Sequence, residues 1–447
     1  MNKLTQFLEA KVMPVAGRIA GQRHLQALRD GLIATMPLMI IGSLFLIIGF
    51  LPINGYPEMM ASIFGDGWLD KLLYPVGATF DIMALVAAFA IAYRLAEKYH
   101  VDPLSAGIIS LVAFLLATPY QVPFTPEGAE EAIMVGGAIP AALTGSKGLF
   151  IAMILAMVST EIYRIIIQKN IVIRMPDGVP PAVSKSFVAL IPGFAVVLTI
   201  WLLRLLVENT SFESLHNVVT QLLQEPLSAL GGTLIGTILA LILVQMLWST
   251  GLHGQTIVGG VMGPIWLGAM DANRIAFQAG EEVPNIVTQQ FIDIFVLIGG
   301  SGATLALVLA MLFTAKSKQM KQLGRLGIAP GLFNINEPII FGMPIVMNPI
   351  MIIPFILVPI VVTTISFLSM QAGLIAKPVG ISLPWTTPPI FGGYLATGGH
   401  FSGAILQLVN LAVAFFIYVP FFKMWDKQKV IEEGGMETSG TLDKKAL

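Results

Sequence analysis

The stretch GLIATMPLMIIGSLFLIIGFL, residues 31–51, contains no charged side chain. A bilayer core about 30 Å thick is crossed by about 20 helical residues, so 31–51 reads as a transmembrane helix. Working outward, apolar stretches with few or no charges recur at 75–93, 104–121, 147–167, 187–206, 229–250, 292–315, 348–370 and 402–422. None alternates apolar and polar side chains at every second position, as the strands of a membrane barrel would. Composition agrees: 55% of the 447 residues are hydrophobic and 11% charged, with a mean hydropathy of +0.82, against roughly 25% charged residues in soluble domains. So few charges exclude a water-soluble enzyme. A formal net charge of −1 leaves no basic footprint for nucleic acid. Without cysteine, the chain has no disulfide, no thiolate metal site and no phosphocysteine of its own. The expected fold is an all-α polytopic membrane protein in a lipid bilayer.

Charges run through residues 1–30 and no small-residue cleavage site follows, so no signal peptide is expected. Leu4, Phe7, Leu8, Val12, Val15 and Ile19 recur at helical spacing and predict an amphipathic helix at the inner interface. The Lys/Arg bias places Lys3, Lys11, Arg18, Arg23 and Arg29 in the cytoplasm, with segment 316–325 and the tail that begins Lys423, Lys427, Lys429. Arg94, Lys98 and the connection 164–185 join them, whereas the acidic stretches 58–70, 127–131, 208–225 and 271–282 face outward. Nine spans would leave the termini on opposite sides. Segment 251–270, though short and interrupted by Gly254, Gly259, Gly260, Gly263 and Pro264, must therefore also cross as a broken element. That gives ten crossings with both termini cytoplasmic. The chain is expected to divide into a scaffold unit of five spans (1–208), an interfacial linker helix (209–228), a working unit (229–425) with broken elements at 251–270 and 328–346, and a cytoplasmic tail (426–447) that is polar and disordered from Glu432 on.

Polar groups inside apolar sequence are the informative ones, because each is costly unless paired or functional. Glu337 lies in Gly331-Leu-Phe-Asn-Ile-Asn-Glu-Pro-Ile-Ile-Phe-Gly342, flanked by Pro330, Pro338 and Pro344, and is the sole charge in 326–376. So many helix breakers predict a re-entrant hairpin with Asn334, Asn336 and Glu337 near its tip, offering a carboxylate and amides to a polar solute. His253 lies in Trp248-Ser-Thr-Gly-Leu-His-Gly-Gln-Thr256 where the irregular crossing begins, and Gly254 and Gln255 are placed with it on the substrate. Its imidazole can orient a sugar hydroxyl or take its proton. Trp385, between Pro384 and the later prolines, offers a ring to a pyranose face or serves as a belt residue. Gly299-Gly-Ser-Gly-Ala-Thr304 lacks the lysine of a phosphate loop and is read as helix packing within a span. Arg94 and Glu97 read as a snorkelling pair, and Asp81 is given no role. One His and one Glu far apart make no metal site, and no cofactor is expected.

Gly331–Gly342 with its Asn-Glu-Pro, the Gly251-Leu-His-Gly254 turn, Met175-Pro-Asp-Gly-Val-Pro-Pro-Ala-Val-Ser-Lys-Ser-Phe187 and Gly299–Thr304, in this order, resemble the IIC permease of the sugar phosphotransferase system (PTS), in its lactose/cellobiose/N,N′-diacetylchitobiose family. The resemblance covers nearly the whole chain. It implies a homodimer in the bacterial cytoplasmic membrane, with an N-terminal dimerisation unit and a C-terminal transport unit that moves as an elevator. It further implies a β-linked disaccharide or oligosaccharide, cellobiose-like, whose 6-hydroxyl sits near His253 and Glu337 and awaits phosphoryl transfer from a phosphocysteine on a separate IIB protein, charged upstream by IIA. Residues 423–447 are too few to hold either domain. His253 and Glu337 are both candidates for the base. The alternative is a proton-coupled symporter with Glu337 as proton carrier. A hydrolase would need a second nearby carboxylate, and 229–425 is read as offering none at depth.

Overall fold

The computed structural model describes residues 14, 17, 18, 21–126, 131–176, 178–343, 345, 346 and 348–443, with side chains as far as 433. The helix expected from Leu4 to Ile19 falls outside the described residues apart from 14, 17 and 18. The main helices are α1 (Arg23–Ile33), α2 (Met36–Gly49), α3 (Met83–Lys98), α4 (Pro103–Ala117), α5 (Leu149–Gln168), α6 (Leu190–Glu208), α7 (Leu234–Ser249), α8 (Gly254–Gln278), α9 (Leu305–Thr314), α10 (Lys318–Leu332), α11 (Glu337–Gly342), α12 (Pro349–Gln371) and α13 (Phe401–Asp443). The one departure from all-α among the described residues is a hairpin of β1 (Gln121–Phe124) and β2 (Ile133–Gly136). Among the described residues six helical stretches are long and apolar enough to cross a membrane, or seven counting the pair Leu215–Gly231 and α7, which meet at 84°. Within 209–228 the helical run starts at Leu215, and it continues to Gly231 before the bend into α7.

Among the described residues two large hydrophobic clusters and a small one around Tyr163 form the interior. In the first, α3 is surrounded by α1, α4 and α5. Its Ala84, Ala87, Ala88, Ile91 and Ala92 are fully buried, and such small side chains let neighbouring backbones approach. Helix α6 buries only Pro192, Val196 and Ile200 and exposes Phe194, Trp201, Leu202 and Leu206, a face suited to lipid or another apolar surface. The second cluster gathers α7, the π-helical turn Phe291–Val296, α9, α12 and α13 around Phe291, Phe295, Phe355, Tyr418 and Phe422. Here buried polar side chains tie down backbone that no helix satisfies. Tyr418 donates to the Gly302 carbonyl at 2.7 Å, Asn410 to Phe295 O at 2.9 Å, and Gln407 to Ile294 O at 2.7 Å. Irregular backbone at membrane depth survives only with such partners.

Several expectations need correction. Segment 251–270 is unbroken after its first residues, because α8 runs continuously through Gly259, Gly260, Gly263 and Pro264. Its glycines serve packing and space: at Gly260 a Cβ would sit 3.8 Å from Arg29 Cβ and 3.6 Å from the Leu25 carbonyl, while Gly259 and Gly263 have nothing within 4 Å. Asp271 is not in an outward loop but buried on α8, where Arg274 Nε donates to it at 2.6 Å and Ser146 Oγ at 2.5 Å. Arg274 also reaches Asp81 at 3.5 Å, which gives Asp81 a partner. Conversely, the span 292–315 is broken: Gly299, Gly300, Gly302 and Ala303 all have positive φ, so Gly299–Thr304 is a turn rather than packed helix. The tail from 426 is helical as far as Asp443. Asp426 accepts from the backbone of Lys316 and Ser317, and Glu433 from that of Lys318 and Gln319, so this part of the tail is fastened to the start of α10.

Candidate functional site

A cavity of about 290 Å³ is lined by members of both clusters, near the lower end of the roughly 300–1,000 Å³ of small-ligand pockets. Its walls come from α1 and α2 (Arg29, Leu32, Met36, Met39), the start of α8 (His253, Gln255, Thr256), segment 289–301, the break 334–337 and segment 382–385. Of the residues singled out in the sequence, His253, Gln255, Asn334, Asn336, Glu337 and Trp385 are brought together here. Gly254 is not among them: it is buried where a Cβ would collide with the Val244 carbonyl, so its role is to let α8 start close against α7.

The break between α10 and α11 is held by amides. Asn334 has φ +60°, a left-handed conformation that asparagine tolerates better than most residues. Its Nδ2 donates to the carbonyls of Trp385 (2.5 Å) and Thr387 (3.3 Å), and its Oδ1 accepts from Gly299 N–H at 2.6 Å. Asn336 Nδ2 donates to Ser301 O at 2.8 Å and Thr304 Oγ1 at 3.1 Å. Gly300 must be glycine for this, since it has φ +94° and a Cβ would lie 2.5 Å from Asn336 Cγ. Both amide NH₂ groups are therefore spent on backbone and hydroxyl oxygens. These bonds build the cradle and occupy the donors of both amides.

Glu337, by contrast, is exposed to the cavity and has no hydrogen-bond partner among the described residues. His253 caps α8: Nδ1 accepts from Thr256 N–H at 3.2 Å and lies 2.5 Å from Thr256 Oγ1. A backbone N–H only donates, so neutral His253 keeps its proton on Nε2 and presents that atom as a donor. Trp248 stacks obliquely on the imidazole at 4.3 Å between centroids. The Trp385 ring is 45% exposed at the wall. Gln255 accepts from Ser301 Oγ at 3.0 Å and joins the start of α8 to the turn 299–304.

Sequence reasoning missed a second acid. Asp293 is 9% exposed, lines the cavity and accepts from Gln289 Nε2 at 2.9 Å. It carried the same signal as Glu337, a carboxylate inside an apolar stretch, so the reading that 229–425 holds no second acid at depth is wrong. Gln290 Oε1 and Trp248 Nε1 are buried without partners among the described residues, and both residues line the cavity. Among the described residues Arg29 is the one Lys or Arg on its wall. Among the described residues no cluster could hold a metal ion.

Comparison with known proteins places this architecture. The family model described as "Phosphotransferase system, EIIC" matches residues 29–359. The lichenan permease IIC component of Bacillus subtilis (strain 168) is 69% identical over 450 residues and covered fully in both chains. The cellobiose-specific EIIC component of Geobacillus stearothermophilus is 68% identical, over 97% of this chain and 96% of that one. The crystal structure of ChbC, the IIC component of the N,N′-diacetylchitobiose-specific phosphotransferase system, superposes with a TM-score of 0.93 at 62% identity, covering 96% of this chain and 99% of that one. Matches of this extent and depth show that the chain belongs to the EIIC family of membrane-embedded phosphotransferase-system permeases.

Proposed function

We propose that this chain is the EIIC permease for a β-linked saccharide, cellobiose being the first candidate because relatives at 68–69% identity carry cellobiose- and lichenan-specific names. The observation that carries this reading is the convergence, in a single cavity, of a carboxylate with no hydrogen-bond partner among the described residues, one Nε2–H donor and an exposed indole ring. A neutral sugar suits such a site, with hydroxyls for the polar atoms and an apolar ring face for Trp385. Transfer of a phosphoryl group needs in-line placement and a base near the attacking oxygen. Glu337 is that base, since it accepts without competition, and the Nε2–H of His253 orients the same hydroxyl. A separate IIB protein supplies the phosphoryl group. Charge on the product weakens its fit beside two carboxylates, which makes uptake one-way.

The rest of the assembly follows the same reading. Residues 1–208 form a scaffold that dimerises, with the exposed face of α6 as the candidate dimer surface. Residues 229–425 form the transport unit, linked through 209–228. The chain crosses the bacterial cytoplasmic membrane ten times, with both termini in the cytoplasm. Nothing favours the symporter, which would need neither partner nor phosphate. The test is sugar uptake in membrane vesicles with and without phosphoenolpyruvate and the soluble partner proteins. Phosphorylated cellobiose formed only with both supports the reading, whereas uptake of unmodified sugar driven by a pH gradient refutes it.

A further inference from the structure

The cavity holds two acids, Glu337 and Asp293, yet the proposed reaction brings a phosphoryl group of two negative charges against one of them. Two carboxylates repel such a group, and an apolar wall with little water screens the repulsion poorly. A cation has to face it. Among the described residues the single Lys or Arg on the wall is Arg29, and it comes from α1 rather than from the elements that carry the acid and the imidazole. Helix α1 reaches the site because Gly260 lets it lie against α8, with Arg29 Cβ 3.8 Å from where a Cβ would stand. Arg29 thus borders the bare Gly259 and Gly263 side of α8, which also lines the cavity.

Arg29 is not neutralised by its neighbour. Asp30 accepts from its guanidinium at 2.5–2.6 Å, but Asp30 is shared with Lys98 Nζ at 3.7 Å, which leaves the trio one charge positive. The surroundings extend this sign. Arg23 and Arg164 lie 5.4 and 4.7 Å from the centroid of the Tyr99 ring, and Glu161 is bound by Arg164, His24 and Tyr99. In these pairings the four cations Arg23, Arg29, Lys98 and Arg164 outnumber the two acids Asp30 and Glu161, an excess of the sign that attracts anions.

We propose that Arg29 is the phosphoryl-facing cation of the site, holding the transferring phosphate while Glu337 and His253 hold the sugar. This rests on the function proposed above. In the step it serves, the phosphorus–sulfur bond of the partner's phosphocysteine breaks and the sugar oxygen–phosphorus bond forms. The thiolate leaves with the partner, the hydroxyl proton passes to the Glu337 carboxylate, and the guanidinium stabilises the equatorial phosphoryl oxygens throughout. The acid and imidazole lie on α11 and α8 and the cation on α1, so transfer requires the cavity to be assembled from both.

The test uses the full-length protein in vesicles, with labelled cellobiose, the cellobiose phosphate made by the wild type, and the complete phosphoenolpyruvate-driven chain of soluble proteins. In Arg29→Gln, cellobiose affinity is expected to stay within about twofold, while transfer rate and cellobiose phosphate affinity fall about 10- to 100-fold, the range for a lost hydrogen bond to a charged group. Arg29→Lys keeps the charge without the bidentate fork and is expected to fall between. Asp30→Asn is expected to leave transfer intact. Wild-type transfer and phosphate affinity in Arg29→Gln would overturn the proposal. So would parallel loss of cellobiose binding in Arg29→Gln and Asp30→Asn, which marks a merely structural ion pair. Should Arg29→Gln not assemble, Arg29→Lys carries the comparison: weaker phosphate binding at unchanged sugar binding supports the role, and no change in either overturns it. A wild-type protein that makes no sugar phosphate would bring down the underlying reading first, and this inference with it.

Discussion

Helix α3 and the turn 299–304 lie at comparable depth in apolar surroundings and keep their backbones satisfied by different means. In α3 the helix supplies its own hydrogen bonds, and Ala84, Ala87, Ala88 and Ala92 let α1, α4 and α5 pack against it with no polar side chain on that face. In 299–304 four residues have positive φ, and the backbone relies on distant side chains: Asn334 and Asn336 from the next break, and Tyr418 from α13. The first arrangement is locally determined and featureless toward a solute. The second must be assembled from three separate parts of the chain, and in return it leaves room for a carboxylate, Glu337, with no hydrogen-bond partner among the described residues. A functional cavity in lipid is made where the helix stops satisfying itself.

That contrast can be broken at its functional end first. Glu337→Gln should cut sugar phosphorylation by about 100-fold or more, the range for a lost general base, while leaving the fold intact because Glu337 bonds to no described residue. A loss of folded protein in detergent would show instead that the carboxylate is structural.

The seam between the two regions comes next. Arg274 is 5% exposed and pairs with Asp271 on α8, packing over the Phe80 ring at 4.6 Å. Arg274→Met strands a buried carboxylate and is expected to cost about 3–5 kcal/mol, read as a lower unfolding temperature. Adding Asp271→Leu should recover much of it. If the single variant is as stable as the wild type, Asp271 is solvated and the seam is wetter than described.

A smaller effect separates cradle from ligand. Asn334→Ala orphans the Gly299 N–H and two carbonyls, with an expected cost of about 1–3 kcal/mol and sugar affinity lost in step with stability. Affinity lost at full stability would return Asn334 to the role of a direct sugar ligand.

The smallest effect tests the self-contained bundle. Asp102 caps α4 by accepting from Ser105 N–H at 3.0 Å and pairs with Lys185 at 2.9 Å. Burial alone would raise its carboxyl, but these partners more than offset that and hold it below the ordinary value. Its contribution is thus present above the unfolded carboxylate pKa and disappears as pH falls through the lower folded value. Asp102→Ala should cost about 1 kcal/mol near neutrality and progressively less in acid, as measured by thermal unfolding against pH.

The same contrast explains what was legible in the sequence. The α-helical membrane class was plain from charge-free stretches such as 31–51, and Glu337 stood out as a lone charge between prolines. Glycine and proline misled where their purposes diverge. Gly259, Gly260, Gly263 and Pro264 signalled a break and lie in a continuous helix, whereas Gly299, Gly300 and Gly302 signalled packing and form the break. A glycine used to let a neighbour approach and one used for positive φ look alike in one sequence, because the difference lies in which distant side chain meets it. Asp293 was passed over although it lies within the stretch 292–315, and Arg29 was hidden by its place among topology-setting cations. Both needed the third dimension to be seen on the same wall as Glu337.

The most direct measurement is a structure of the protein with cellobiose bound. The expected result is a sugar hydroxyl within hydrogen-bond distance of both the Glu337 carboxylate and His253 Nε2, with Trp385 against a pyranose face. A sugar bound elsewhere, or bound here with its hydroxyls turned from Glu337, would contradict the assignment.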